Sequence, residues 1–451
     1  MASSQPAADV DFGASFIKNY NKRIRQHLSQ SPSSPKLSSP RSHHSPSPSS
    51  SQSRSHQTDP HNPRYDYLYS KNNRANILNV VSQISDDVTP NPGVSISSEQ
   101  VSLDEAEYLG RGATMEVFAV DYVPNKPPED SRIESSRRVA VKRVSREHAP
   151  VRNHALALEE DFVFLKGRDE FYARVGAMTQ EIKILAREPL YGHRNIVHLH
   201  SLAWDEMPDI GLYAPLMIVE LAWPQAPTLE DYFRMRQNQQ IEDLEVEVTD
   251  CYSLIADIAD GLSVLHHCEV LHSDLKPSNI LLFPDGEKHG LVAKIGDFGF
   301  ADVDRVLTHS FDSAAGPVVG VGRGQTREWA APEMLQSCPI EIRRLASTVP
   351  VAGDVYSFGL LMAYIILNGK SPKWLVQSGS VAAQDKELDR LKIDDLLGEK
   401  IQQEVRLHWE NCSSQKDVKA GIVLDLIRNV VMADPTARPP SLSDVRRKIM
   451  G

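Results

Sequence analysis

Two glycines flank an arginine in Leu109-Gly110-Arg111-Gly112-Ala113-Thr114-Met115-Glu116-Val117, between segments of strand-like composition. Lacking side chains, Gly110 and Gly112 let backbone amides approach a polyphosphate. The same glycines equally suit an ordinary hairpin turn, and Met115 stands where a three-glycine nucleotide loop has its third. The chain then continues into a strand, whereas a dinucleotide-binding turn would open a helix. Further on, Val139-Ala140-Val141-Lys142 sets a lysine inside an apolar strand. A buried ammonium needs an anion beside it. Glu181 is the candidate, because Phe171, Val175, Met178, Ile182 and Leu185 form an apolar helical stripe that Glu181 flanks. By themselves, Lys142 and Glu181 fit a structural ion pair as well as a functional one. Two more polar clusters follow: Leu271-His272-Ser273-Asp274-Leu275-Lys276-Pro277-Ser278-Asn279-Ile280-Leu281-Leu282 and Lys294-Ile295-Gly296-Asp297-Phe298-Gly299.

These side chains need a scaffold, and hydropathy patterning supplies one. Residues 101–109, 116–122 and 138–144 alternate or carry β-branched runs, as a small antiparallel sheet would. After the stripe ending at Leu185, residues 216–220 read as a buried strand. Leu254, Ile258, Leu262 and Leu265 then mark one helix face, and residues 354–367 a second, strongly apolar helix. A β-rich half thus precedes an α-rich half.

In this order, the segments resemble the catalytic domain of the eukaryotic protein kinases over residues 96–449. The resemblance implies an α+β, two-lobed fold: a small β-rich N-lobe (about 96–220) with one key helix, and a larger α-helical C-lobe (about 223–449). It implies ATP and Mg²⁺ as cofactors, and transfer of the γ-phosphate to serine or threonine hydroxyls of protein substrates. Phosphoryl transfer needs a carboxylate near the incoming hydroxyl, oxygen ligands for the metal and cations along the phosphates. By the family pattern these are Asp274 as catalytic base, Asn279 and Asp297 as Mg²⁺ ligands, and Lys142 on the α and β phosphates, paired with Glu181. Lys276 matches the serine/threonine class, in which it contacts the transferred phosphate. Gly110, Arg111 and Gly112 would cover the phosphates. Val117, Ala140 and Leu281 would sandwich the adenine with Leu109 above it; Val219 takes the gatekeeper position, and the backbone of Glu220 to Ala222 supplies hydrogen bonds. Ala331-Pro332-Glu333 resembles the end of the activation segment and Thr326-Arg327-Glu328-Trp329 the substrate-docking stretch. Asp354 is expected to steady the catalytic loop, and Arg438 to pair with Glu333.

The chain also departs from the family pattern. Ser273 replaces the arginine that usually pairs with a phosphorylated activation segment, so Thr308, Ser310 and Ser313 should matter less as phosphosites. The segment 297–333 is long and holds a glycine-rich run, 316–324, and residues 146–169 look inserted. Met115 should narrow the phosphate loop's freedom. A catalytically weak or inactive scaffold that binds ATP is the alternative on the same fold.

Residues 1–95 hold 10 Lys/Arg against 6 Asp/Glu, and the remainder 39 against 54, so a mildly basic extension precedes an acidic domain. The net charge of −11 argues against nucleic-acid binding through phosphate neutralisation. The extension, rich in Ser and Pro between residues 29 and 63, is expected to be disordered. Its five Ser-Pro dipeptides, at Ser31, Ser34, Ser39, Ser45 and Ser47, suit phosphorylation or recognition by regulators, and equally an ordinary linker. Within residues 10–28, Phe12, Phe16, Tyr20, Ile24 and Leu28 suggest a short amphipathic helix. The four cysteines lack disulfide or zinc spacing. The longest apolar run, 358–367, is about half of the ~20 residues that span a bilayer. No stable membrane span is expected, and the setting is intracellular, cytoplasmic or nuclear.

Overall fold

Alternating apolar positions build the first sheet of the computed structural model. It describes residues 95–96, 103, 106–112, 115–122, 137–146, 161–207, 212–238, 250–285, 290–302, 326–376, 379–412 and 418–451, all within one unit, residues 63–451. Strands β1 (Ser95–Ile96), β2 (Glu107–Arg111), β3 (Met115–Tyr122), β4 (Arg137–Val144), β5 (Leu199–Met207) and β6 (Leu212–Glu220) form a sheet in the order β1-β5-β6-β4-β3-β2. Only the β1–β5 pair is parallel. In β4, Val139 and Val141 pack with Ala203, Leu216 and Ile218 on one face. The two-residue period turns Ala140, Lys142 and Val144 to the other. That face meets helix α1 (Asp161–Leu185), whose Phe171, Val175, Met178 and Ile182 are buried in the main core with Ala140 and Val144.

Some boundaries differ from the sequence reading. The first strand is shorter than 101–109: Leu103 and Ala106 lie outside β2, and Leu103 instead packs on the Val139/Val141 cluster. Residues 161–169 are not an insertion before the helix but its first turns. Ser95 lies in β1, one residue before the expected start of the lobe. The remainder of the N-terminal extension, including the stretch 10–28 and the Ser-Pro serines, lies outside the described residues. So do 147–160, Thr308, Ser310, Ser313 and the glycine-rich run 316–324.

The second lobe is helical, as expected: α2 (Leu229–Gln237), α3 (Asp250–His267), α4 (Ile340–Ala346), α5 (Ala352–Ile366), α6 (Val381–Ile393), α7 (Leu397–Cys412), α8 (Val418–Val430) and α9 (Val445–Met450). A hairpin of β7 (Ile280–Asp285) and β8 (Gly290–Ile295) lies among them. Thr228 caps α2 by accepting a hydrogen bond from the Asp231 N–H at 3.1 Å. Every residue of α5 except Gly353 is buried, which makes it the central helix of the lobe. Among the described residues no helix is long and apolar enough to cross a membrane.

Helix α3 packs against β8, the strand that leads into Asp297, and Gly261 permits the approach. A Cβ there would sit 2.8 Å from the Asn195 carbonyl oxygen and 2.9 Å from Ile295 Cδ1. Gly261→Ala is therefore expected to destabilise the lobe by about 1–3 kcal/mol through overpacking, read as a lower urea midpoint. An unchanged midpoint would mean that the two elements yield freely.

Candidate active site

Cross-strand register gathers the first group of side chains. Val117 pairs with Lys142, Lys142 with Met217 and Ala140 with Val219, so all five share the sheet face that meets α1. From α1, Glu181 reaches the same face, wholly buried, with Oε1 2.6 Å from Lys142 Nζ. Among the described residues its buried Oε2 has no partner within hydrogen-bond distance. Burial alone would lower the Lys142 pKa, but the carboxylates of Glu181 and Asp297 outweigh it and raise it, so the ammonium keeps its charge.

The second group sits on the loop after α3. Asp354, in the first turn of α5, accepts the N–H of Ser273 at 2.9 Å and of His272 at 2.8 Å, and contacts His266 Nε2 at 3.0 Å. Burial would raise its pKa, yet the His266 and His272 rings and the Ser273 N–H hold it below the usual carboxylate range. These bonds support Ser273 in a left-handed conformation, φ 64°, which costs a non-glycine residue on the order of 1–3 kcal/mol. Asp274 follows, buried. Its Oδ2 takes the Lys276 ammonium at 2.6 Å and the Asn279 Nδ2 at 3.3 Å, and its Oδ1 takes the Thr326 N–H at 3.2 Å. Lys276 also donates to Thr326 Oγ1 at 3.0 Å. Asn279 Nδ2 further donates to the Asp274 carbonyl at 2.8 Å, and nothing among the described residues donates to its Oδ1.

The Asp-Phe-Gly segment is tied to that loop. Leu271 and Asp302 exchange backbone hydrogen bonds at 3.0 and 2.9 Å, the Gly296 N–H donates to the Asn279 carbonyl at 3.0 Å, and His272 Nε2 meets the Gly296 carbonyl at 3.1 Å. Phe298 is fully buried, its ring 5.3 Å from that of His272. Asp297 adopts a left-handed φ of 62° and is only half-buried; among the described residues nothing donates a hydrogen bond to its carboxylate.

The expected adenine lining is partly assembled. Ala140 and Val219 are in the core, and Val117 and Leu281 pack at its margin. The Ala222 N–H and C=O take no hydrogen bond among the described residues, as a base-recognising segment requires. Leu109 is exposed at a bulge in β2. Gly110 pairs with Val117, and the Gly112 N–H closes the turn on the Met115 carbonyl at 2.8 Å. Arg111 turns to Ser145 Oγ at 2.9 Å. Met115 is buried in the core opposite Val144, so it anchors the end of the loop to the sheet.

Comparison with known proteins agrees with this geometry: the model of the protein kinase domain family matches residues 130–448. The chain belongs to the protein kinase domain family. The match leaves out β2, β3 and the glycine loop, which the sheet register nonetheless attaches to the kinase domain. Similar proteins include a probable serine/threonine-protein kinase of Dictyostelium discoideum, 31% identical over 170 residues, 35% of this chain and 16% of that one. A cyclin-dependent kinase of Arabidopsis thaliana is 32% identical over 167 residues, 35% of this chain and 31% of that one. A receptor-like kinase of Arabidopsis thaliana is 25% identical over 273 residues, 60% and 23% respectively. The chain thus spans under a third of the length of each of these relatives.

Two contacts of the kinase domain escape sequence reasoning. Glu220, singled out for its backbone, uses its carboxylate to accept both the His198 N–H at 2.7 Å and the Lys294 ammonium at 2.8 and 2.7 Å, joining β6 to β8. Lys392 is the second: this α6 lysine is 1% exposed, and burial pushes its pKa down to about 7 against the pull of Asp389 and Glu328. Its spacing from Leu388, four residues before it on the same helix face, is the signal that would have revealed it.

Proposed function

We propose that the chain is a serine/threonine protein kinase that transfers the γ-phosphate of Mg²⁺-ATP to serine and threonine hydroxyls of proteins. One observation carries the reading: the Lys142–Glu181 pair is closed at 2.6 Å while the Asp274–Lys276–Asn279 cluster, complete, is bonded to the segment that presents Asp297. The names of several relatives support the serine/threonine class.

The residues present fit the nucleotide and its metal. Asn279 Oδ1 and the Asp297 carboxylate are hard oxygen ligands without competing donors among the described residues, as Mg²⁺ requires. Lys142 would hold the phosphates, and the unused backbone groups of Ala222 the adenine edge. When bound, Mg²⁺-ATP supplies the phosphoryl group and neutralises developing negative charge. Asp274 orients the incoming hydroxyl and accepts its proton, with Oδ1 on the docking turn through Thr326. Lys276, 2.6 Å from that carboxylate, adds positive charge where the phosphoryl group must pass.

Protein substrates follow from the family, and the Ser/Pro-rich extension is the segment proposed for regulators. Cys251, Cys268 and Cys338 are unbridged, which suits the reducing interior of a cell, the proposed setting. Lys142→Met, which keeps length but removes charge, should lower phosphate transfer at least about a hundredfold while the fold persists, as the phosphates lose their cation. The assay is labelled phosphate incorporated into a generic basic protein. Transfer at the wild-type rate would contradict the reading, and an inactive wild type would favour the scaffold alternative.

A further inference from the structure

The substrate-docking turn, residues 326–330, is held from below by one face of α6. Lys392 donates to the carbonyls of Arg327 at 3.0 Å, Glu328 at 2.8 Å and Ala330 at 2.7 Å. An ammonium has three N–H donors and no acceptor, so these three carbonyls use it completely. Among the described residues no carboxylate forms an ion pair with it. One turn earlier on the same helix, buried Asp389 takes the Arg327 guanidinium, Nε to Oδ1 at 3.1 Å and Nη2 to Oδ2 at 2.5 Å. Arg327 is therefore gripped twice, by its side chain and by its carbonyl. At the start of the turn, beside Arg327, Thr326 bonds Asp274 and Lys276.

This arrangement is costly unless it serves a purpose. A lysine taken out of water loses its hydration, and an apolar residue in its place would avoid that only by leaving three carbonyls unpaired. The turn spans the gap between α6 and the Asp274 cluster, so its height is set from both sides.

We propose that Lys392 and Asp389 position the protein substrate: they fix the turn on which the hydroxyl-bearing chain lies and, through Thr326, its distance from Asp274. The inference rests on the kinase reading above and extends it to substrate placement. Neither residue touches a reacting atom; both act through residues 326–330.

The test uses the full chain, a generic basic protein substrate and Mg²⁺-ATP. Lys392→Met is expected to lower kcat/KM for the protein roughly tenfold, chiefly through KM, because small misplacements are costly, while KM for ATP stays within about twofold. Arg327→Ala, at a half-exposed side chain, should show the same split more weakly. A purely structural role would instead reduce turnover in proportion to the folded fraction and leave both KM values alone. Amide hydrogen exchange adds a readout independent of activity: residues 326–330 should exchange faster in both variants, with β7 and β8 protected as before. If Lys392→Met fails to fold, Asp389→Asn takes its place beside Arg327→Ala. Unchanged protein KM together with unchanged exchange at 326–330 overturns the proposal. A wild type that transfers no phosphate overturns the kinase reading instead, and exchange then decides the clamp.

Discussion

Asp274→Asn is expected to reduce turnover by about 10²–10⁴ with Mg²⁺-ATP affinity nearly unchanged, the range associated with loss of a positioned general base. The two side chains are isosteric, so packing around this buried position should survive. The chemistry does not. Asp274 now offers acceptors in both directions, Oδ2 to Lys276 and Asn279 and Oδ1 to the Thr326 N–H. An asparagine has one acceptor oxygen, so its NH₂ must face either the Lys276 ammonium or the Thr326 amide, donor against donor. The hydroxyl would also lose the group proposed to take its proton. Steady-state kinetics with a protein substrate, beside equilibrium binding of a nucleotide analogue, separate these effects. A variant within about tenfold of wild-type turnover would show that Asp274 is not the base.

The largest effect on stability is expected at Arg438. Its guanidinium is fully buried, donates to both oxygens of Glu333 at 2.6 and 2.9 Å, and also to the carbonyls of Ala352 and Met432, each at 2.8 Å. Arg438→Met would leave Glu333 as an uncompensated buried charge, a change worth about 3–5 kcal/mol of destabilisation. Adding Glu333→Gln should recover part of the loss, since the residual penalty is then neutral, and the non-additivity measures the coupling. Urea titration of Arg438→Met, Glu333→Gln and the double variant at neutral pH makes the comparison. A loss under about 1 kcal/mol for Arg438→Met would mean that water reaches the site and screens it.

How much of this was legible depends on the range of each interaction. Lys142 and Glu181 could be matched because each sits on a local periodicity, a two-residue strand and a helical stripe, whose buried faces had to meet. The helix at 354–367 was legible from its apolar run alone. Arg438 with Glu333, 105 positions apart, was accessible only through resemblance. Glu220 with Lys294 is a contact between strands of different sheets, which no local pattern encodes. Lys392 was missed because a charged residue at a helix end is ordinarily read as solvated, and only the neighbouring turn reveals what it serves. That Met115 should narrow the loop's freedom follows from residue type, but its direction does not; the register with Val144 turns it into the core.

The chemistry proposed for Asp274 and its neighbours is phosphoryl transfer to serine and threonine. The most direct test incubates the full chain with Mg²⁺ and γ-labelled ATP, with and without a generic basic protein, beside Asp274→Asn, and identifies the labelled amino acids after acid hydrolysis. Label is expected in phosphoserine or phosphothreonine for the wild type and only background for the variant. Equal labelling by both, or none by either, would contradict that chemistry.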